Sequence, residues 1–383
     1  MRILILTSLY PNPWEPHRAQ FNRQQFAALA AKHEVRLIAP VAWPEQLRRS
    51  PSAPPQQCVL RDGMVIEHPR YVYPPKMLRS WHGACYLRSV RPAFDRAIKA
   101  LRPQVVLGSW AYPDAWAAMN LARSANLSIV AKVHGSDVLL LASQGGRRQQ
   151  TIDALTGSDA VIAVSQQLAE RTAALGVDSA KLFVNYNGVD TGLFSPDSPD
   201  AARAKLNLRP DPLVLFVGNL VPVKGLKILI DACALLRDRS VKFQCRLIGQ
   251  GPLRGMLSRR IRKAALTEHI HLHGPCPLEQ LPDWYRAANL LVLPSFSEGI
   301  PNVILEAQAC GTPIVASRVG GIPEILDDDS LVPPNNPKLL ADAIERTLAQ
   351  PNVTSRPMAN WADSAAQLAD ILSEVAERKK KAA

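Results

Sequence analysis

Leu290-Leu-Val-Leu293-Pro-Ser-Phe-Ser-Glu298-Gly-Ile-Pro-Asn-Val-Ile-Leu-Glu306-Ala307 is a short apolar run, a loop of Pro, Ser and Gly, and then a helical pattern running from Val303 to Cys310. A strand that stops at Pro294 and feeds a helix opening near Pro301 places Glu298 at the carboxyl end of that strand. This is the edge where parallel α/β sheets bind their ligands. Pro301 suits a first helical turn, where its missing N–H has no intrahelical partner. The amides of Gly299, Ile300, Asn302 and Val303 then face an anion, and phosphate is the obvious candidate. Glu306, one to two turns into the helix, reaches back toward the same crevice, where a carboxylate accepts two hydrogen bonds from a diol such as ribose. Spacing alone reads as two solvated acids at a helix start, so the surroundings must decide.

The same strand-then-helix alternation extends in both directions. Before residue 190 the strand runs are Ile3 to Leu6, Val35 to Ala39, Val105 to Leu107, Ile129 to Val133, Ala160 to Val164 and Leu182 to Val184. Helical patterns fall between them at Phe21 to Ala31, Tyr86 to Leu101, Ala115 to Ala125 and Gln166 to Leu175, which argues for βαβ units. Residues 44–60, rich in Pro, Gln and Arg, read as an exposed loop, and the Pro, Asp and Arg-rich stretch 191–212 as an interdomain linker. The alternation restarts at Leu213 to Val217 and continues through Lys242 to Ile248, Ile270 to His273, Leu290 to Leu293 and Pro313 to Val315. The expected organisation is an α/β chain of two doubly wound domains, 1–190 and 213–358, with a terminal helix over about 359–383. A length of 383 residues suits two such cores.

Composition narrows the class. Hydrophobic residues make up 47% and charged residues 20%, and no run of about 18 uncharged apolar residues marks a membrane span. The opening Met1-Arg-Ile-Leu-Ile-Leu reads as a buried first strand and not as a secretory signal, so a cytoplasmic protein is expected. Six cysteines without a CxxC pair read mostly as buried thiols, and no metal site is expected. Of the net +12 charge, residues 1–195 hold 22 Lys/Arg against 13 Asp/Glu, or +9, leaving +3 for the remainder. Within that basic half, Lys76 to Arg102 interleaves cations with Trp81, Tyr86, Leu87 and Phe94. Such a segment reads either as an ordinary surface helix or as one that meets an anionic membrane surface or a lipid-phosphate acceptor. No nucleic-acid module accompanies the charge.

The run from His271 through Trp284-Tyr285-Arg286, Leu290 to Ser295, Glu298 to Glu306, Ala309-Cys-Gly-Thr-Pro-Ile-Val-Ala-Ser317 and Gly320-Gly-Ile-Pro-Glu324 resembles the family 4 retaining glycosyltransferases. The likeness is densest over about residues 213–326. It implies two Rossmann-like domains facing across a cleft, the GT-B arrangement, with the terminal helix returning to the first domain. It also implies transfer of a sugar from a nucleotide diphosphate sugar, UDP- or GDP-linked, to an acceptor hydroxyl with the anomeric configuration kept and no metal or other cofactor. A glycan or lipid-linked acceptor is the expected partner.

Under that resemblance, Gly218-Asn219-Leu-Val-Pro-Val-Lys224-Gly225 is the turn that meets the diphosphate. Lys224 is its point charge, and Gly249-Gln-Gly251-Pro lines the nucleotide pocket. The family usually carries Arg where Asn219 stands, so one cation is missing. Glu298 holds sugar hydroxyls or stabilises positive charge, and Glu306 anchors ribose. His134, in His134-Gly-Ser-Asp137 after a strand, faces the donor sugar, and Asp137 positions the acceptor or the loop. The first loop, Tyr10 to Phe21, has Ala19 where Gly is common, and its His17 and Arg18 are candidate donors to an acidic acceptor. Two other functions fit the architecture: a sugar-nucleotide epimerase, and a non-catalytic nucleotide-sugar-binding or assembly protein.

Overall fold

The computed structural model describes residues 1–48, 58–74, 81–139, 145–353 and 359–382. The chain divides into two compact units, Met1–Gly188 together with Trp361–Ala383, and Val189–Asn360.

Unit 1 contains strands β1 (Arg2–Leu6), β2 (Glu34–Ile38), β3 (Val41–Ala42), β4 (Cys58–Arg61), β5 (Met64–Glu67), β6 (Arg70–Tyr71), β7 (Val105–Ser109), β8 (Ser128–Val133), β9 (Ala160–Ala163) and β10 (Leu182–Val184). Eight of them form one sheet in the order β10-β9-β8-β7-β1-β2-β5-β4, and β3 pairs with β6. All pairings are parallel except β4 with β5. Parallel strands covered on both faces read as unbroken apolar runs, and the packing shows the pleat at work. Ile3, Ile5, Val105 and Leu107 point to one face, against Phe26 and Leu29 of the helix Gln20–Ala30 and Leu368, Leu372 and Val375 of the helix Trp361–Ala382. Leu4, Leu6 and Val106 point to the other, against Tyr86, Val90 and Phe94 of the helix His82–Leu101. The terminal helix is therefore core to unit 1.

Under that helix lies Lys132, fully buried on β8. Its ammonium donates to Gln25 and, at 3.4 Å, to Asn185 Oδ1. The same amides hold the helix: Gln25 Nε2 donates to Ser364 Oγ at 2.8 Å, and Asn185 Nδ2 donates to Gln367 Oε1 at 2.9 Å. Burial pushes the amine down to about 7.

Unit 2 contains β11 (Leu213–Val217), β12 (Gln244–Ile248), β13 (Ile270–Gly274), β14 (Leu290–Leu293), β15 (Ile314–Ser317) and β16 (Leu331–Val332), all parallel, in the order β13-β12-β11-β14-β15-β16. This is the doubly wound order 3-2-1-4-5-6, whose direction reverses between β11 and β14. Ligands of such sheets gather outside the carboxyl ends at that switch point.

Three sequence expectations change. The stretch expected to be a linker carries the helix Pro199–Lys205 and packs on unit 2, with Arg203 Nη1 donating to Ala287 O at 3.1 Å and to Asn289 Oδ1 at 3.2 Å. Its start signals were present: Ser198 caps the Ala201 amide, Pro199 opens the first turn and Asp200 sits at the positive end of the helix dipole. Residues 44–60, read as loop, fold at their ends into the helix Trp43–Arg48 and β4, while 49–57 lie outside the described residues. All six cysteines are free thiols, but only Cys233, Cys245 and Cys310 are buried. No helix among the described residues is long and apolar enough to cross a membrane.

Ala19 takes the left-handed conformation, φ 45°, immediately before the helix Gln20–Ala30. A Cβ there strains the backbone and a glycine does not. Ala19→Gly is expected to raise stability by about 0.5–1 kcal/mol, measured as a shift in the urea midpoint at unchanged slope; an unshifted or lower midpoint refutes the strain.

Candidate functional site

In unit 2 the turns after β11 and β14 interlock. Gly225, at φ 64°, lies so close to the next turn that a Cβ on it would stand 1.9 Å from Pro294 O. Phe296 N donates to Val223 O at 2.8 Å, fastening the same two turns. The result brings Lys224 Nζ to 2.6 Å from Glu298 Oε1. Ser295, fully buried, donates its hydroxyl to that same oxygen at 2.6 Å. The cation and carboxylate that the sequence assigned to leaving group and sugar thus form one ion pair at the switch point.

Around this pair, backbone approaches backbone. A Cβ on Gly249 would stand 1.9 Å from Gly218 O, one on Gly251 2.4 Å from Leu220 O, and one on Gly320 2.0 Å from Glu298 O. Leu220 N donates to Gln250 O at 2.8 Å, and Gly321 N to Gly299 O at 3.0 Å. Asn219 is exposed on this rim. Buried Pro301 and Ile300 lead into the helix Asn302–Ala309, whose first residues include Asn302 and Val303 and whose N-terminus has no side-chain cap. Pro301 stands at the cap position, one residue before the first turn expected for it.

Glu306 is partly buried on that helix, and its Oε2 accepts from Tyr285 Oη at 2.7 Å. Burial pushes the carboxyl up to about 7, and the tyrosine hydrogen bond offsets only part of that rise. Tyr285 and Ser295 stand in the runs that carry the family likeness but had no assigned role. Ser295 precedes Glu298 by three residues, a spacing that gives a local signal; Tyr285 gives none.

In unit 1, His134 follows β8 with its Nε2 2.8 Å from Ser109 Oγ and its ring against Phe21 and Trp110, centroids 5.2 and 6.3 Å away. Burial, with Lys132 adding to it, holds the imidazole well below its usual value, so it is neutral near pH 7. Asp137, fully buried, accepts from the amides of His134 at 3.0 Å, Gly135 at 2.9 Å and Ala111 at 3.0 Å. Of the two roles expected of it, this geometry serves the loop. His17 is exposed. Arg18 is held by Glu15 at 2.5 Å and Glu45 at 3.2 Å, so its charge is already countered within unit 1. Among the described residues no three His, Cys, Asp or Glu side chains converge as a metal cage requires.

A family model described as glycosyl transferases group 1 matches residues 198–367, and one described as glycosyltransferase family 4 matches residues 23–193. A Bacillus subtilis protein named for teichuronic acid biosynthesis, the glycosyltransferase TuaC, is 30% identical over 364 residues, covering 90% of this chain and 89% of that protein. A D-inositol 3-phosphate glycosyltransferase of Streptomyces bingchenggensis is 36% identical over 222 residues, 52% of this chain; the matched stretch spans about half of that relative, 49%. The crystal structure of the Anabaena protein HepE in complex with UDP covers 100% of both chains at TM-score 0.72 and 20% identity, a likeness of fold. The chain belongs to the group 1 glycosyltransferases, with two Rossmann-like domains of the GT-B type.

Proposed function

We propose that this protein is a retaining transferase that moves a sugar from a UDP- or GDP-sugar to an acceptor hydroxyl in polysaccharide or lipid-linked glycan synthesis. The observation that carries the reading is the Lys224–Glu298 pair at the switch point of unit 2. A sugar leaving a nucleotide diphosphate deposits negative charge on phosphate and positive charge on its own ring. A cation and an anion held 2.6 Å apart can each serve one of these charges. On donor binding Lys224 exchanges Glu298 for the diphosphate, and Ser295 keeps the released carboxylate in place for the sugar hydroxyls. The uncapped N-terminus at Asn302 adds its dipole to the phosphate side. Glu306 takes the ribose diol. His134, neutral, offers a hydrogen bond to the donor sugar without adding a charge. The names of the relatives support a nucleotide-sugar donor and an envelope-polymer product, UDP in the HepE complex and teichuronic acid for TuaC.

The basic face of the helix His82–Leu101 supports a working position on the inner face of an anionic membrane. Arg88, Arg91 and Lys99 are exposed along it, and Trp81 at its start is 61% exposed. The Lys76 to Ser80 part of the segment lies outside the described residues. Co-sedimentation with vesicles is expected to require anionic lipid and to weaken with salt; equal binding to neutral vesicles contradicts the assignment.

A panel of nucleotide sugars, followed by nucleotide release with and without envelope lipid acceptors, tests the activity. Turnover without an acceptor that interconverts donors favours an epimerase, and nucleotide binding without turnover on any donor favours a binding protein. Glu306→Ala is expected to weaken nucleotide affinity about 10- to 100-fold, the loss of a hydrogen bond to a charged group, whereas Glu298→Ala mainly lowers turnover. Because the Glu306 carboxyl ionises near 7 and only the carboxylate accepts both diol protons, nucleotide binding should tighten from pH 6 to pH 8. In Glu306→Gln that tightening should vanish; a wild type with flat affinity removes the ribose role.

Asn219→Arg restores the cation usual at this turn. It is expected to raise nucleotide affinity or turnover several-fold in the same assay, and an unchanged enzyme shows that another group already neutralises the diphosphate.

A further inference from the structure

In unit 2, the helix Arg254–Lys263 carries Arg254, Arg259, Arg260, Arg262 and Lys263 and no acid. Arg260 is countered by both carboxylate oxygens of Asp231, at 2.6 and 2.7 Å. The other four cations make no ion pair among the described residues. Cations in a last turn complement the helix dipole and need no further reason. Arg254 does not fit that account, because it opens the helix, where the dipole repels it. Gly255 beside it is equally unexplained by the fold. It takes no positive φ and a Cβ on it would meet nothing within 4 Å, yet glycine is the poorest helix former after proline.

Both residues line a cavity of about 600 Å³ that the helix shares with Ile270, His271 and Leu272 of β13, a volume in the ordinary range of ligand pockets. Arg254, Ser258 and Arg262 form one stripe along it at four-residue spacing, Thr267 adds a second hydroxyl, and buried Ile261 and Ile270 give it an apolar wall. No acidic side chain lines it among the described residues. Its guanidiniums are held in place: Arg262 Nη1 donates to Ser258 Oγ at 3.0 Å and Arg254 Nη2 to Leu272 O at 3.2 Å. Eight residues separate them, roughly 12 Å along the axis at 1.5 Å per residue, so a ligand that meets both bears its charges at intervals. The histidines of β13 register the same positive surroundings. After burial, Arg246 and Arg209 hold His271 below its usual value, with Glu268 acting against them, and Arg246 and Arg254 hold His273 below its own.

The walls narrow the class of ligand. An extended peptide adds to a free strand edge, but at this edge Leu272 O is taken by Arg254 and Ile270 N by Leu266 O at 2.9 Å. A bilayer takes up apolar side chains, and no large hydrophobic residue of this helix or of β13 is exposed. A nucleic acid strand stacks its bases on aromatic side chains, and no Phe, Tyr or Trp lines the cavity among the described residues. Guanidiniums at intervals, hydroxyls between them and an apolar wall match a chain of hydroxyl-rich rings that carry acid groups.

We infer that this cavity binds a segment of an anionic glycan, its charges being carboxylate or phosphate. Resting on the polysaccharide part of the transferase reading, this gives unit 2 a hold on polymer apart from the donor site, since Lys224, Glu298 and Glu306 do not line the cavity.

Calorimetry at low salt tests it with an oligogalacturonate and a phosphomannan oligosaccharide, each against its neutral form, the methyl ester and the dephosphorylated mannan, and with poly-glutamate of equal charge. At least one charged oligosaccharide is expected to bind at least tenfold tighter than its neutral form, and which one identifies the acid group. No binding of either, equal binding of the neutral forms, or equal or tighter binding of poly-glutamate overturns the inference. Arg254→Gln and Arg262→Gln are each expected to lower the affinity about 10-fold. Gly255→Glu places a carboxylate in the cavity and an acid at the start of the helix, where it complements the dipole. It is expected to abolish oligosaccharide binding while raising the urea midpoint, which separates lost binding from lost folding. Unchanged affinity in all three variants overturns the site. UDP and GDP are titrated into the same proteins: a wild type that binds neither nucleotide defeats the transferase reading, whereas nucleotide binding without oligosaccharide binding defeats this one.

Discussion

The contact on which unit 2 depends is the approach of the Gly225 backbone to Pro294 O, tight enough that any side chain at Gly225 would overlap it. Two turns leaving neighbouring strands are ordinarily free to diverge as the sheet twists. Here they are pressed together and fastened by Phe296 N to Val223 O. The Lys224–Glu298 pair follows from that fastening, because side chains from two rigid turns inherit the geometry of the turns. Gly249 against Gly218 and Gly320 against Glu298 repeat the device on either side, so the whole rim is built by backbone contact. A site built this way loses little entropy when it meets a charged ligand.

Much of this was legible in the chain. The runs at Leu213 to Val217 and Leu290 to Leu293 are buried on both faces, and unbroken apolarity is what such strands require. Glycines 225, 249 and 320 sit at positive φ, where the residue type itself records the conformation. Lys224, Glu298 and Glu306 stand within a turn or two of these marks, so their placement needed no distant information.

What was not legible depends on partners far apart in sequence. Arg18 read as an available donor because Glu45, 27 residues on, cannot be seen to fold back on it. Asp137 carried the family's motif, but its commitment to the Ala111 amide needs β7 beside β8. The helix Pro199–Lys205 differs, since its start signals, Ser198, Pro199 and Asp200, are local but lie inside a stretch whose Pro, Asp and Arg content reads as linker.

The terminal helix has a consequence for how the chain comes into being. Unit 2 is continuous, from Val189 to Asn360, and holds every strand of its own sheet. Unit 1 is discontinuous: the apolar face of β1 and β7 and the Lys132 amide network both await Leu368, Leu372, Ser364 and Gln367. During vectorial synthesis the half made first is therefore completed last, after the second unit has already closed. Until then the nascent chain exposes an apolar sheet face, and the Gln25 and Asn185 amides lack their Ser364 and Gln367 partners, which makes the emerging first half the natural client of chaperones.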